Sequence, residues 1–279
     1  MSATKPLLDP PCVGWTADLS LPSVPPTEAA SLGYDSPNHS DDVYLEIPRR
    51  SLAVRGILVW FSLFTATYLL WTQTLIFEDF ANGDYSFLFL NTLFLLVGSW
   101  SMAIFYRLDC AVPRDLPLRF NRARQKIYVY NFKYRWWNPF ERWRVVPVAY
   151  DWSQVRAEAW KQRGATGNGG VIIKWGVMLS IVAPGTNKVI DRFHLSTMGA
   201  NEHAWAYVCT YMQQGPSALP PPGEPQDPNT VPWYNLALRL APKVKWPDAM
   251  DIESRTAPLQ PGLRPQPVPL APTPGQGAG

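Results

Sequence analysis

Charge is what this 279-residue chain has least of: Asp, Glu, Lys and Arg make up 17% of it, against roughly 25% in an ordinary soluble domain. Cysteine and histidine are as scarce, with three of each. The cysteines, at 12, 110 and 209, have neither the number nor the spacing of a disulfide scaffold or a zinc module. His39, His194 and His203 show no His-x-x-x-His or paired-cysteine pattern, so no metal or cofactor is expected. The glycine-rich stretch GATGNGG lacks the Lys-Ser/Thr ending of a phosphate-binding loop, and no Gly-x-Ser-x-Gly nucleophile turn occurs. Asp151, Glu158, Asp191 and Glu202 are the carboxylates that could supply an acid–base pair, yet nothing in the linear sequence brings two together and a solvated surface is their default reading. No catalytic residue is nominated, and the chain is not expected to be an enzyme.

What is abundant is apolar surface, and it comes in runs. Residues 56–77 (GILVWFSLFTATYLLWTQTLIF) and 85–106 (YSFLFLNTLFLLVGSWSMAIFY) each contain no charged residue. About 20 helical residues cross a hydrocarbon core, so both read as spans of a transmembrane hairpin over 47–107. Arg49, Arg50 and Arg55 precede the first run and Arg107, Arg114 and Arg119 follow the second, while the connection EDFANGD carries no cation. The positive-inside rule then places both termini in the cytoplasm of a bacterial inner-membrane, multi-pass protein. Gln73 and Asn91 are expected to hydrogen-bond between the two helices.

The 29 prolines lie largely outside these runs. Residues 1–46 hold one lysine against seven carboxylates and no apolar periodicity, which predicts a disordered acidic Pro/Ser-rich tail with a short docking stretch at YLEIP. Residues 216–279 read as a Pro-rich tail with an amphipathic segment near 231–241. Between them, 108–215 is the expected folded, cytoplasmic part. LRF-NRARQ-KIYVY predicts a hairpin, as does VIIKWGVMLSIVA-PGTN-KVIDRFHL, and a helix is predicted from the capping residue Asn201 to Gly215.

Formal net charge is only +3, too small by itself to suggest a nucleic-acid binder, and no nucleic-acid partner is expected. That small sum conceals opposed blocks: 1–46 is net −6, whereas Arg107–Arg144 has ten cations against three acids, net +7. Within the basic block, Lys126, Lys133, Arg135, Arg142 and Arg144 interleave with aromatics that include Trp136, Trp137 and Trp143. Tryptophan favours the headgroup layer, and anionic lipid attracts such cations at about 1 kcal/mol each. These eight residues are the expected lipid-facing site. The lipid bilayer, with anionic lipid, is the expected partner.

The strands followed by one helix resemble the pleckstrin-homology-like fold of bacterial membrane proteins. Together with the two runs, FNRARQKIYVYNFKYRWWNPFERW, VPVAYDWSQVRAEAW and DRFHL resemble a family of two-pass membrane proteins encoded near type VI secretion effectors. The expected fold class is thus α+β: a two-helix transmembrane hairpin, then an antiparallel β-barrel or sheet with a C-terminal helix, between disordered Pro-rich tails. The resemblance implies a non-enzymatic interaction protein in interbacterial competition, with a protein partner that is an effector or a secretion component: an immunity protein to a toxin, or a handler of one. A lipid-sensing or scaffolding protein using the basic–aromatic block is the alternative.

Overall fold

The structure, a computed structural model, describes residues 5–33, 36–49, 55–81, 83, 88–165, 170–196, 199–221, 223, 225 and 227–258. Its elements in chain order are β1 (Trp15–Asp18), β2 (His39–Ser40), β3 (Tyr44–Ile47), α1 (Ile57–Ala81), α2 (Leu88–Cys110), β4 (Leu118–Asn121), β5 (Lys126–Val129), β6 (Phe132–Lys133), β7 (Arg144–Val145), β8 (Val148–Asp151), β9 (Val155–Ala165), β10 (Val171–Val182), β11 (Val189–His194), α3 (Glu202–Gln214), α4 (Leu236–Leu240) and α5 (Asp248–Arg255).

Two antiparallel sheets carry the α+β body, in the orders β1-β9-β10-β11 and β2-β3-β4-β5-β8, with β6-β7 as a separate ribbon. Alternation along the strands points Leu45, Ile47, Leu118, Phe120, Ile127 and Val129 of one sheet, and Val155, Ala157, Val177, Leu179, Ile181 and Phe193 of the other, into one shared core. Helix α3 closes that core with Ala204, Trp205, Val208, Cys209, Tyr211 and Met212. Each such large apolar side chain contributes about 2 kcal/mol by leaving water. The expected hairpins β4–β5 and β10–β11 are present. So is the capped helix, with Asn201 Oδ1 accepting from the Ala204 N–H at 3.4 Å.

The tails correct the sequence reading. The acidic first segment is not disordered: β1 pairs with β9, Ala17 opposite Ala159, and β3, the expected docking stretch, pairs with β4 and is wholly buried. Proline and polar residues gave no periodicity because much of this segment is held by its own carbonyls, which accept from side chains of α3. Trp205 Nε1 donates to Ser20 O at 2.9 Å, Gln213 Nε2 to Pro22 O at 2.8 Å and Tyr211 Oη to Asp41 O at 2.7 Å. Gly14 has φ +79°, and a Cβ there would stand 2.7 Å from Lys161 O, so the tail's approach to β9 requires glycine. The later segment is ordered as well, through α4 and α5; the Pro-rich stretch from 259 onward lies outside the described residues. The sheets therefore draw strands from before the apolar runs, and no barrel is built from 108–215 alone.

One buried guanidinium joins the two tails. Arg119, on β4 and 2% exposed, donates from Nε to Glu46 Oε2 at 2.5 Å and from Nη1 to Asp251 Oδ1 at 2.6 Å and Ser254 Oγ at 2.8 Å. Its Cζ stands 4.5 Å from the Trp246 ring centre. The second Glu46 oxygen accepts from Asn38 at 3.1 Å. Glu253 adds a half-exposed latch, accepting from Lys126 Nζ at 3.0 Å and Tyr128 Oη at 2.9 Å.

The apolar runs are also corrected. They form α1 and α2, packed antiparallel with Gln73 and Asn91 exchanging hydrogen bonds at 3.3 Å, as expected. Among the described residues, only α2 is long and apolar enough to cross a membrane by length and composition. Thr65, Thr67, Thr72, Gln73 and Thr74 dilute α1, whose hydroxyls turn back onto its own carbonyls, as with Thr65 on Phe61 O at 2.8 Å. A transmembrane hairpin of two spans is not supported among the described residues. The multi-pass inner-membrane localisation with both termini cytoplasmic falls with it.

Replacing Arg119 with methionine strands the Glu46 carboxylate in the core. Urea unfolding of Arg119→Met is expected to show a loss of about 3–5 kcal/mol, and the pair Glu46→Leu/Arg119→Met a smaller one. Hydrogen bonds from Lys126 and Tyr128 hold Glu253 below the ordinary carboxylate range. Its latch is therefore complete above the unfolded-state pKa and lost as pH falls through the lowered folded value. Pepsin digestion across acid pH should show α5 released in that window, and Glu253→Gln should remove the pH dependence of the release.

Candidate functional site

The last turn of α2 carries Arg107, a cation where the helix carbonyls favour one. Arg107 Nη1 donates to Glu141 O at 2.9 Å and to Pro139 O, and its Cζ lies 4.6 Å above the Trp143 ring. Those contacts fasten to the helix end a tip formed by the ribbon β6–β7 and the loop between its strands. Inside the tip, Phe132, Tyr134 and Trp143 pack on one another, with Tyr134 and Trp143 centroids 5.0 Å apart. Trp143 Nε1 donates to Asn138 O at 3.0 Å. Asn138 Oδ1 accepts from the Phe140 N–H at 3.1 Å, turning the loop outward.

Outward stand three large apolar rings: Trp136, Trp137 and Phe140 are 62%, 51% and 81% exposed. Lys133, Arg135, Arg142 and Arg144 are exposed around them. Glu141, 3.6 Å from Arg135, is the one carboxylate in the tip, which leaves a net +3. Six of the eight expected site residues are thus brought together on one projection. Two are not: Lys126 lies in β5, paired with Glu253, and Trp143 is 8% exposed, a scaffold ring rather than a surface one.

The other faces of α1 and α2 extend this uncovered surface. Trp60, Phe64, Leu70, Phe77, Phe89 and Leu96 are all exposed, and only 6% of the apolar stretch of α2 is buried within the chain. A core helix of a soluble domain would be mostly covered, and single apolar patches of monomers seldom exceed a few hundred Å². The base of the pair is rigid. Asp109, 3% exposed at the end of α2, caps α1 by accepting from the Gly56 N–H at 3.0 Å and the Val59 N–H at 2.8 Å. Asn235, before α4, donates to Arg55 O at 2.9 Å, and Gly56, at φ +105°, leaves room for that side chain: a Cβ would meet it at 3.1 Å. The amphipathic segment near 231–241 thus packs on this base, with Ala237 against Val59 and Cys110.

Other chemistry is accounted for by structure. Glu158, read as solvated, is fully buried and accepts from the Cys12 N–H at 2.9 Å and Ser180 Oγ at 2.5 Å. Burial, with Glu158 nearby, pushes the Cys12 thiol up to about 12. Asp191 accepts from Tyr150 Oη at 2.7 Å. His39 meets Asp41 Oδ2 at 2.8 Å beside a cleft of about 500 Å³. Burial opposes it, but hydrogen bonds from His39, Tyr44 and Val43 hold Asp41 below the usual carboxylate range, and its Oδ1 locks the β2–β3 turn by accepting from the Val43 and Tyr44 N–H groups, each at 2.8 Å. Among the described residues no cluster of three or more His, Cys, Asp or Glu could hold a metal ion.

The tip lies within a stretch recognised in other sequences. The model of DUF6708, a family of unknown function, matches residues 95–258, more than half of the chain. The chain belongs to this family. No curated protein and no solved structure matches the chain. The DUF6708 stretch begins inside α2 and runs past α5, so it holds Arg107, the whole tip, Arg119 and Asp251, and leaves out β1, β2 and β3.

Arg107 and Asp109 were not singled out in the sequence as holders of the site. A cation in a helix's last turn is the available sign for Arg107; for Asp109 there is none, because the N–H groups it caps are 50 and 53 residues away. Arg107→Ala is expected to raise amide exchange over 132–145 severalfold, about 1 kcal/mol of local stability, while exchange in β9 and β10 stays unchanged.

Proposed function

We propose that the protein is a non-enzymatic interaction protein anchored to a membrane by its apolar helical arm, with the basic–aromatic tip lying on acidic lipid headgroups and the α+β body presented to a protein partner. The observation that carries this reading is the continuity of α2 with the tip: an uncovered apolar helix of about 34 Å ends directly on a projection of exposed Trp136, Trp137 and Phe140 ringed by four cations. An apolar helix followed by interfacial tryptophans and basic residues is the pattern a bilayer selects, core first and headgroups next. The buried carboxylates Glu46, Asp109 and Glu158 are each taken up by structural hydrogen bonds, which favours a binding over a catalytic role. The resemblance drawn from the sequence gives the setting: interbacterial competition around type VI secretion, with immunity to a toxin ahead of effector handling.

Full-length protein incorporated into vesicles tests the anchor and the tip separately. Alkaline carbonate should leave the chain with the lipid; recovery in the aqueous phase would overturn the anchor. Amide exchange over 133–144 should slow when acidic lipid replaces neutral lipid, and Lys133→Glu/Arg135→Glu/Arg142→Glu/Arg144→Glu should abolish that response, at about 1 kcal/mol per cation near the surface. Headgroup protection without any effect on growth competition against toxin-producing neighbours would favour the lipid-sensing scaffold over immunity.

A further inference from the structure

The hairpin of β9 and β10 is longer than the sheet it belongs to. Strand β9 is covered on its outer edge by β1 only as far as Trp15 opposite Trp160, with one further bond from the Lys161 N–H to Gly14 O at 2.8 Å. Strand β10 is paired with β11 from Met178, after which the following segment contributes bonds from the Leu195 N–H to Val177 O and from the Gly199 N–H to Trp175 O. Beyond these points β9 and β10 still pair with each other, from Trp175 opposite Lys161 out to Val171 opposite Ala165. The result is a projecting two-stranded arm. Even-numbered residues of β10 face β9, so the N–H and C=O groups of Val171 and Ile173 turn to the open edge. Neither residue has a backbone partner on that edge among the described residues.

The arm's faces are as unusual as its edge. Directly opposed residues share a face, so Val171, Ile173 and Trp175 line one side together with Ala165, Arg163 and Lys161. The three apolar residues are 67%, 42% and 51% exposed. Lys161, Arg163 and Lys174 are exposed too, and the arm from 161 to 175 contains no carboxylate. Cations alone blunt an edge against unwanted pairing. Three large apolar side chains beside them do the opposite, offering a partner both area and a ladder.

We infer that the arm is a docking edge for an acidic, extended segment of another protein, which adds as a strand along β10 at Val171 and Ile173, sets its apolar residues beside Val171, Ile173 and Trp175 and, by alternation, its carboxylates on the opposite face beside Lys174, with Lys161 and Arg163 on β9 adding to the positive field that favours them. Charge decides the occupant. A second copy would bring the same three cations against themselves, and the chain's own residues from 259 onward carry no carboxylate and are interrupted by proline. This deepens the interaction reading by giving the partner's chemistry. It does not depend on the membrane anchor, so the peptide experiment below and the vesicle experiment above fail separately.

Three labelled octapeptides serve as probes with the full-length chain: alternating glutamate–valine, alternating lysine–valine, and alternating glutamate–proline. Fluorescence anisotropy should show the glutamate–valine peptide binding at least about tenfold tighter than either of the others, with slowed amide exchange at Val171 and Ile173. Lys161→Glu/Arg163→Glu/Lys174→Glu should reverse the preference between the two valine peptides. Ile173→Pro removes an N–H that faces the open edge, so binding should be lost while the unfolding midpoint is kept; should that variant unfold early, the charge-reversed variant decides. Equal binding of the acidic and basic valine peptides, binding of the glutamate–proline peptide as tight as glutamate–valine, no binding at all, or self-association of the chain that the charge reversal strengthens would each overturn the inference.

Discussion

The body depends on a charge that cannot reach water. Arg119 is inserted from the middle of the five-stranded sheet, and its donors are spent on a carboxylate before the helices, Glu46, and a carboxylate after them, Asp251. Leaving one member of such a buried group alone costs several kcal/mol, whereas an exposed pair such as Arg135–Glu141 contributes little. Segments that look unstructured in isolation are thereby made obligatory. The DUF6708 stretch supplies Arg119, Asp251 and Ser254 but not Glu46, so in this chain the preceding segment completes both the second sheet and the charge balance of the matched region.

Around this body, apolar surface is left open on the helices with their tip and on the β9–β10 arm, among other places. The helices and the tip expose aromatic rings on an element locked at its base by Asp109, Arg55 and Asn235. The β9–β10 arm exposes aliphatic residues on a ribbon whose inner half is held in a four-stranded sheet. In both, a rigid root carries a projecting surface dressed with cations. A partner taken up on a surface rooted in this way would face little ordering cost.

Much of the body was legible because its signals are local. The alternation of KIYVY and of VIIKWGVMLSIVA, the turn PGTN, and the cap at Asn201 each rest on neighbours in sequence. The reading failed where partners are remote. A proline-rich segment between strands has no periodicity when its carbonyls are satisfied by Trp205, Tyr211 and Gln213, 170 to 191 residues away. Glu158 looked like surface because the Ser180 hydroxyl that satisfies it sits on the neighbouring strand. The two apolar runs looked alike in charge, yet threonines and Gln73 separate α1 from α2. The tip was found from composition, but composition could not tell that Trp143 faces inward and Lys126 belongs elsewhere.

Arg107 has a mechanical meaning as well as a structural one. Two hydrogen bonds and a ring contact join the last turn of α2 to the tip, and Asp109, two residues on, joins the same turn to the start of α1. Any lean of α2 against the tip or against α1 therefore has to work against these bonds. One turn of helix thus ties the apolar helices to the projection at their end.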